Sequence, residues 1–376
     1  MTHPISIIGG NISGLSAAWH LAQKGCPVTV YETRLWDKPC GGGISIGFAR
    51  HLSRLLNVDI PALNQSIPKI RCCFSSLRCI EIDPLFVIVS RYDLQKQLIS
   101  RLTSEPNINI IFKKISPTEL ALLSPQTVLA TGFSGFTRQI IQNHWHDREY
   151  ALTLKTVGTF HTQPRQPAHL LFFDSRLKGY GWLFLKGNNQ FNCGIGGLVD
   201  KKNLDARYDA FIDLLNNRFG YPLHPEKPPS IWKIPITMDL ARAPVSFFRN
   251  NIEFIGAGDA LGLAHPVMAA GIEPAWQSGW LIGESYDPGT GLINTERYRN
   301  LLKKNLKMTS RSPFNALVSR ALRVPGLPLK DTVAYGLMKY FNQPIARHIL
   351  NNPWFALMHD GHAGTEFRQH NDDLFK

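Results

Sequence analysis

Residues Ile5 to Glu32 read ISIIGGNISGLSAAWHLAQKGCPVTVYE, and this stretch decides the fold. An apolar run, Ile5, Ile7 and Ile8, stops at Gly9-Gly10. A helical pattern follows from about Gly14 to Gln23 and ends at Gly25. Val28 to Tyr31 is a second β-rich run, and it finishes on an acid, Glu32. Strand, glycine turn, helix, strand and acid are the parts of a βαβ dinucleotide-binding unit. Gly9 permits the sharp exit from the strand, and Gly14 lets the helix pack close to the sheet. The helix N-terminus offers unpaired N–H groups and partial positive charge to a pyrophosphate. Glu32 is placed to accept hydrogen bonds from a ribose. One position departs from G-x-G-x-x-G: the middle glycine, where backbone comes closest to phosphate, is Asn11, with Gly10 before it. A structural βαβ turn without ligand is the alternative.

At 376 residues the chain suits one large composite domain or two. No stretch reaches about 18 consecutive apolar residues, so no transmembrane helix is expected. The N-terminus reads as the first strand itself, so no secretory signal is expected. The six cysteines (26, 40, 72, 73, 79 and 193) make no metal-ligand pattern. They are expected to be reduced thiols of a cytoplasmic protein, with Cys40 set apart by its loop. The net charge of +13 is uneven. From Arg297 to Arg347 there are eleven Lys and Arg against Asp331 alone, a net of +10. Basic residues interleaved with Leu, Phe, Val and Tyr suit an anionic membrane surface or a phosphate-bearing substrate. A solvated helical face reads the same way. No nucleic-acid motif accompanies the charge.

Beyond Glu32, Pro39-Cys40-Gly41-Gly42-Gly43 can be neither helix nor regular strand, and forms a loop above the nucleotide site. A short amphipathic helix is expected over 47–56, a small antiparallel excursion over 68–90, and a helix capped by Ser90 running to about Leu102. Ile108–Phe112 and Thr127–Thr131 read as further strands of the parallel sheet. From about Tyr150 the pattern becomes period-two and aromatic, with strands near 153–161, 169–173, 181–186 and 190–195. A helix over 204–219, a strand over 231–236 and a last parallel strand over 251–256 follow. The fold class is thus α/β: a Rossmann-like nucleotide domain (1–67, 90–149 and 245–294) with an inserted antiparallel β-sheet substrate domain (68–89 and 150–244). Residues 295–376 form a basic, helical C-terminal region, broken at Pro313 and at 325–328 and loose from Asp360.

A second motif carries chemistry. Phe254 to Gly262 reads FIGAGDALG, and His265 to Ile272 reads HPVMAAGI. A strand ending in Gly258-Asp259 puts one carboxylate at the carboxyl edge of the sheet, where α/β ligands bind. An acid there can bind the hydroxyls of a ribityl chain. The turn at Gly271-Ile272 opens another helix, whose dipole can stabilise negative charge on the N1–C2=O edge of a reduced isoalloxazine.

These elements resemble the FAD-binding parts of the flavoprotein group that includes p-hydroxybenzoate hydroxylase. The Cys40-Gly41-Gly42 loop and the run GYGWLFLKG over Gly179–Gly187, closing at Cys193-Gly194-Ile195-Gly196, resemble the geranylgeranyl reductase family. The resemblance covers about residues 5 to 285, and Leu185 stands where that family has proline. It implies non-covalent FAD held by Gly9, Gly10, Asn11, Ser13, Gly14, Glu32, Arg34, Gly42, Arg91, Gly258, Asp259, Gly271 and Ile272. It also implies hydride delivery from reduced flavin to an isoprenoid double bond, with Cys40, Tyr180 and Trp182 as catalytic candidates and Trp182, Phe184 and His265 on the substrate side. Core packing of a sheet is the other reading of Trp182 and Phe184, and a small residue in a tight loop that of Cys40. The expected partners are a hydrophobic small molecule, an electron donor (NAD(P)H, ferredoxin-type or other) and an anionic membrane surface reached peripherally from the cytoplasm. Ala130-Thr131-Gly132, where NADPH-using aromatic hydroxylases carry Asp-Gly, lowers the case for a one-component hydroxylase. A flavin monooxygenase and a flavin electron-transfer protein are the rival functions.

Overall fold

The computed structural model describes residues 4–306 apart from 65, 117, 142–148, 165–166, 175, 188, 237–242 and 266–268. The basic region from 307 onward, with its expected membrane or substrate contact, lies outside the described residues.

The chain opens with β1 (Ile5–Ile8), α1 (Ile12–Gln23) and β2 (Val28–Glu32), as the apolar periodicities dictate. Next come β3 (Gly43–Ser45) and α2 (Ile46–Leu56), whose first turn is capped by Ser45. The excursion contains β4 (Ile70–Phe74), β5 (Cys79–Ile82) and β6 (Phe86–Ile88), and α3 (Arg91–Leu102) begins on the expected cap, Ser90. β7 (Ile108–Phe112), β8 (Gln126–Leu129) and the short α4 (Gly135–Ile141) close the first half.

The period-two region gives β9 (Glu149–Phe160), β10 (His169–Asp174), β11 (Gly179–Lys186) and β12 (Gln190–Gly197). α5 (Lys201–Asn217), β13 (Leu223–Pro225) and β14 (Ser230–Ile236) follow. The chain then returns through β15 (Ser246–Arg249) and β16 (Ile252–Gly256) to α6 (Ile272–Glu284) and α7 (Thr295–Asn305).

Two large sheets result. The first has the order β15-β16-β8-β1-β2-β7 and is parallel except for the edge strand β15, which turns back on β16 as a hairpin that the sequence pattern did not reveal. Its central strands β1 and β8 are buried on both faces, and α1 and α6 lie against each other over it. There is no room for side chains in that helix contact: a Cβ on Gly279 would stand 2.1 Å from the Ser13 carbonyl oxygen. The second sheet has the order β13-β9-β12-β11-β10-β4-β5, with β14 also on β9, and α5 packs on one of its faces.

Two expectations need correction. Cys73 and Cys79 stand opposite each other in the β4–β5 hairpin and are joined by a disulfide, so they are not reduced thiols; Cys26, Cys40, Cys72 and Cys193 are free. Gly43, the last residue of the glycine run, begins a short strand, because Gly43 to Ser45 pair with Phe86 to Ile88. The missing side chain of Gly42 allows that approach, since a Cβ there would stand 2.3 Å from the Val89 carbonyl oxygen.

Candidate functional site

The carboxyl ends of β1, β2 and β8 open into a cavity of about 630 Å³ that continues onto the floor of the antiparallel sheet. Its size is ordinary for a ligand pocket. At the parallel-sheet end, backbone makes the walls. Gly9 has φ +104°, and a Cβ on it would lie 2.5 Å from the Ala130 carbonyl oxygen. A Cβ on Gly14 would lie 1.9 Å from the Gly9 carbonyl oxygen, so the close helix–strand approach permits glycine alone.

Asn11 does not take the conformation of a glycine. Its φ of −102° is ordinary, and it is the N-cap of α1, accepting from the Ser13 N–H at 3.2 Å and the Ser13 hydroxyl at 3.0 Å. Its amide N–H donates to the Ala130 carbonyl, which ties the helix start to the end of β8.

Glu32 is buried in the cavity wall. One carboxylate oxygen accepts from the Thr33 N–H at 2.6 Å, and the other from the Gln95 amide at 3.3 Å. Burial pushes its pKa up, against those hydrogen bonds. Gln95, which sequence reasoning missed, also donates to the Gly10 carbonyl at 2.6 Å and so fixes the acid to the glycine turn. Arg34 and Arg91 line the same end, and the buried Nε–H of Arg91 has no partner. A cradle that any Cβ would fill, a helix N-terminus and a guanidinium lacking an acceptor fit the diphosphate of a dinucleotide.

Across the cavity, Asp259 lies beyond β16 and forms an ion pair with Lys38. Gly271 and Ile272 bring the N-terminus of α6 to the wall. Gly10, Gly14 and Gly258 do not line the cavity but support it: Gly258, at φ +58°, packs against Ser13 and donates to the Ser278 hydroxyl at 2.9 Å. Behind Ile272, the buried Glu273 accepts from the Ser45 N–H at 2.6 Å and thereby joins α6 to β3; its other oxygen has no partner. Burial raises its pKa to about 7.

The Cys40-Gly41-Gly42 loop is held over the antiparallel sheet by Asn192. The Asn192 amide donates to the Cys40 carbonyl at 2.8 Å and the Gly41 carbonyl at 3.1 Å, while its oxygen accepts from the Trp182 indole N–H at 3.1 Å. The Cys40 thiol accepts from the Gly42 N–H at 3.3 Å. Gly41 lies against Phe184, where a Cβ would meet the ring at 2.9 Å. Tyr180, Trp182 and Phe184 alternate with residues under α5 and therefore share the cavity face. Burial is the larger cause raising the Tyr180 pKa, and the charge of Cys40 is the second, which places thiol and phenol within electrostatic reach.

The structure thus brings Cys40, Tyr180, Trp182 and Phe184 together with Asp259 and Gly271 around one space. His265 is not part of it. It is buried beside the wall, its N–H donating to the Ala270 carbonyl at 2.9 Å, and burial lowers its pKa to about 3. Among the described residues, no group of His, Cys, Asp and Glu could hold a metal ion.

Residues 7–54 match the NAD(P)-binding Rossmann-like domain. The chain is 23% identical over 247 residues to digeranylgeranylglycerophospholipid reductase of Sulfolobus acidocaldarius, covering 57% of this chain and 55% of that protein. It therefore spans about half the length of that curated relative. A geranylgeranyl bacteriochlorophyll reductase-like protein from Thermoplasma acidophilum has a TM-score of 0.61 at 17% identity, covering 92% of this chain and 98% of that one. A flavin-dependent brominase has a TM-score of 0.64 at 13% identity, covering 99% of this chain and 98% of that one. A reductase-like protein and a flavin-dependent brominase thus share this architecture, and the chain has their fold, with an NAD(P)-binding Rossmann-like domain over residues 7–54.

Proposed function

We propose that the protein is an FAD-dependent oxidoreductase that reduces carbon–carbon double bonds of a hydrophobic, isoprenoid-type substrate. The observation that carries this reading is the single cavity joining the glycine cradle and Arg91 to the aromatic row of β11. Gly9, Ser13, Glu32 and Arg91 would hold the adenosine diphosphate half of the cofactor. Asp259 would exchange Lys38 for the ribityl hydroxyls, and the N-terminus of α6 would face the flavin ring. The chemistry that bound, reduced FAD would supply is a hydride for one alkene carbon.

The chain's own groups do the rest. Leu171, Trp182, Phe184 and Phe86 exclude water and align an apolar chain. The Tyr180 phenol, held protonated by burial, and the Cys40 thiol are the proton sources for the second alkene carbon. An external donor, NAD(P)H, ferredoxin-type or other, restores the electrons. A cavity lined in this way supports an enzyme over an electron-transfer adaptor. No helix among the described residues is long and apolar enough to cross a membrane, and contact with an anionic membrane surface is part of the proposal.

The visible spectrum of the purified protein tests this reading, followed by anaerobic reduction and addition of a prenyl lipid. A flavin band that bleaches and returns without oxygen supports the reductase. A band that returns only in air favours a monooxygenase. A colourless protein that cannot be reconstituted overturns the cofactor assignment.

A further inference from the structure

The antiparallel sheet has one face under α5, where Gly181 leaves room for the Phe211 ring, and one face forming the cavity floor. Read across β9, β12, β11 and β10 in register, one row of that floor is Lys155, Gly194, Trp182 and Leu171. Gly194 has no space for a side chain, because a Cβ there would lie 2.5 Å from the Trp182 ring. The indole therefore lies over the glycine and points toward Lys155. Strand spacing puts the two backbones about 10 Å apart. The floor runs from a cation, across a bare glycine, to an aromatic and an aliphatic surface.

Lys155 is 7% exposed, lines the cavity and faces Asp37 at 3.5 Å, a carboxylate that is itself 59% exposed. A buried ammonium needs a close counter-ion to offset desolvation, and a solvated carboxylate at that distance is a weak one. Trp36 and Trp232, 5.3 Å apart, close this end, and Lys38 lies over the Trp232 ring. We infer that this end of the cavity binds a carboxylate terminating the apolar chain of the substrate, with Lys155 as its cation and Asp37 as the counter-ion it displaces.

Charge favours a carboxylate over a phosphate ester. With Asp259 turned to the ribityl hydroxyls, Lys38 and Lys155 here meet Asp37 alone, which leaves one positive charge. A monoanion neutralises it, whereas a phosphate monoester carries about −1.5 to −2 and leaves an excess. The inference rests on the apolar-substrate reading and adds the acidic group to it.

Calorimetric titration of the flavin-loaded full chain with three probes of one chain length tests it: a prenoic acid, the prenyl monophosphate and the prenol. The acid is expected to bind at least about tenfold tighter than the alcohol, as one charge-assisted contact supplies. Lys155→Gln should remove that factor and leave alcohol affinity unchanged. Asp37→Asn, an exposed change that keeps the test open if the lysine variant does not fold, should tighten the acid and not the alcohol. Equal binding of acid and alcohol, or indifference of acid affinity to the folded variants, overturns the subsite while the apolar-substrate reading stands. Preference for the phosphate overturns the carboxylate assignment. If none of the three binds, both readings fall.

Discussion

The two ends of the cavity are built from different materials. At the parallel-sheet end the decisive contacts are glycine against backbone: Gly9 against the Ala130 carbonyl and Gly14 against the Gly9 carbonyl. At the antiparallel end they are side chains distant in sequence, Asn192 holding the loop at Cys40 and Gly41, and Lys155 facing Asp37. A backbone-built site tolerates almost no added atom but accepts any side chain that points away. A side-chain-built site fails one hydrogen bond at a time. The first kind binds a group shared by many ligands, and the second is where specificity can change without disturbing the fold.

Gly14→Ala should produce the largest effect. Its Cβ would stand 1.9 Å from backbone, so α1 must move off β1, at a cost of about 3 kcal/mol or more and with loss of bound flavin. Chemical denaturation and the flavin absorbance of the purified variant check both. A variant with normal stability and flavin would break the distinction between the two ends.

Glu273 joins the ends, since it ties α6 to β3, and its signature is in pH. Its folded pKa, about 7, lies above the ordinary carboxylate value, so the folded state holds the proton more tightly than the unfolded one. The stability this adds is complete below about pH 4.5 and is lost as pH rises through 7. Glu273→Gln keeps the acceptor for the Ser45 N–H and removes the charge. It should abolish a fall of roughly 3 kcal/mol between those limits, visible as a Tm that gains on wild type above pH 7 and matches it near pH 4.5. Parallel Tm curves for the two proteins across this range would refute the assignment.

Asn192→Ala should cost about 2 kcal/mol, because it strands the buried Trp182 N–H and two loop carbonyls. Flavin should be retained, since none of the diphosphate cradle is touched, while substrate turnover falls. Equal loss of flavin and turnover would mean that the loop belongs to the nucleotide end.

The same division explains what could be read in the sequence. The glycine turn, the Ser90 cap and the Gly-Asp strand end are local patterns with local causes, and the structure places each where the spacing put it. Asn192 was hidden because its partners are the Cys40 and Gly41 carbonyls, which a residue pattern cannot specify. Its one signal was a polar side chain on a strand face that continues as glycines, Gly194 and Gly196. The disulfide was hidden for a related reason: only the register of the β4–β5 hairpin sets Cys73, and not its neighbour Cys72, opposite Cys79. His265 misled by its closeness to the Gly-Asp motif, since it is buried behind the wall.

Asn11→Gly should have the smallest effect, and it bears on the one apparent defect in the glycine motif. If a glycine were needed there for conformation, Asn11 would show positive φ; it shows −102° and serves as a cap. Replacing such a cap by glycine costs a few tenths of a kcal/mol, and losing the bond to Ala130 adds about 1 kcal/mol. Because the Asn11 amide is directed at the Ala130 carbonyl, the change should alter flavin affinity less than about threefold, well under the 1.4 kcal/mol that a tenfold change represents. Titration of the apoprotein with FAD measures this directly. A large gain in affinity would mean that the asparagine obstructs the phosphate path, and a large loss that its side chain is itself a ligand. Either result would move this position from the backbone-built end of the site to the class of residues that act through their side chains.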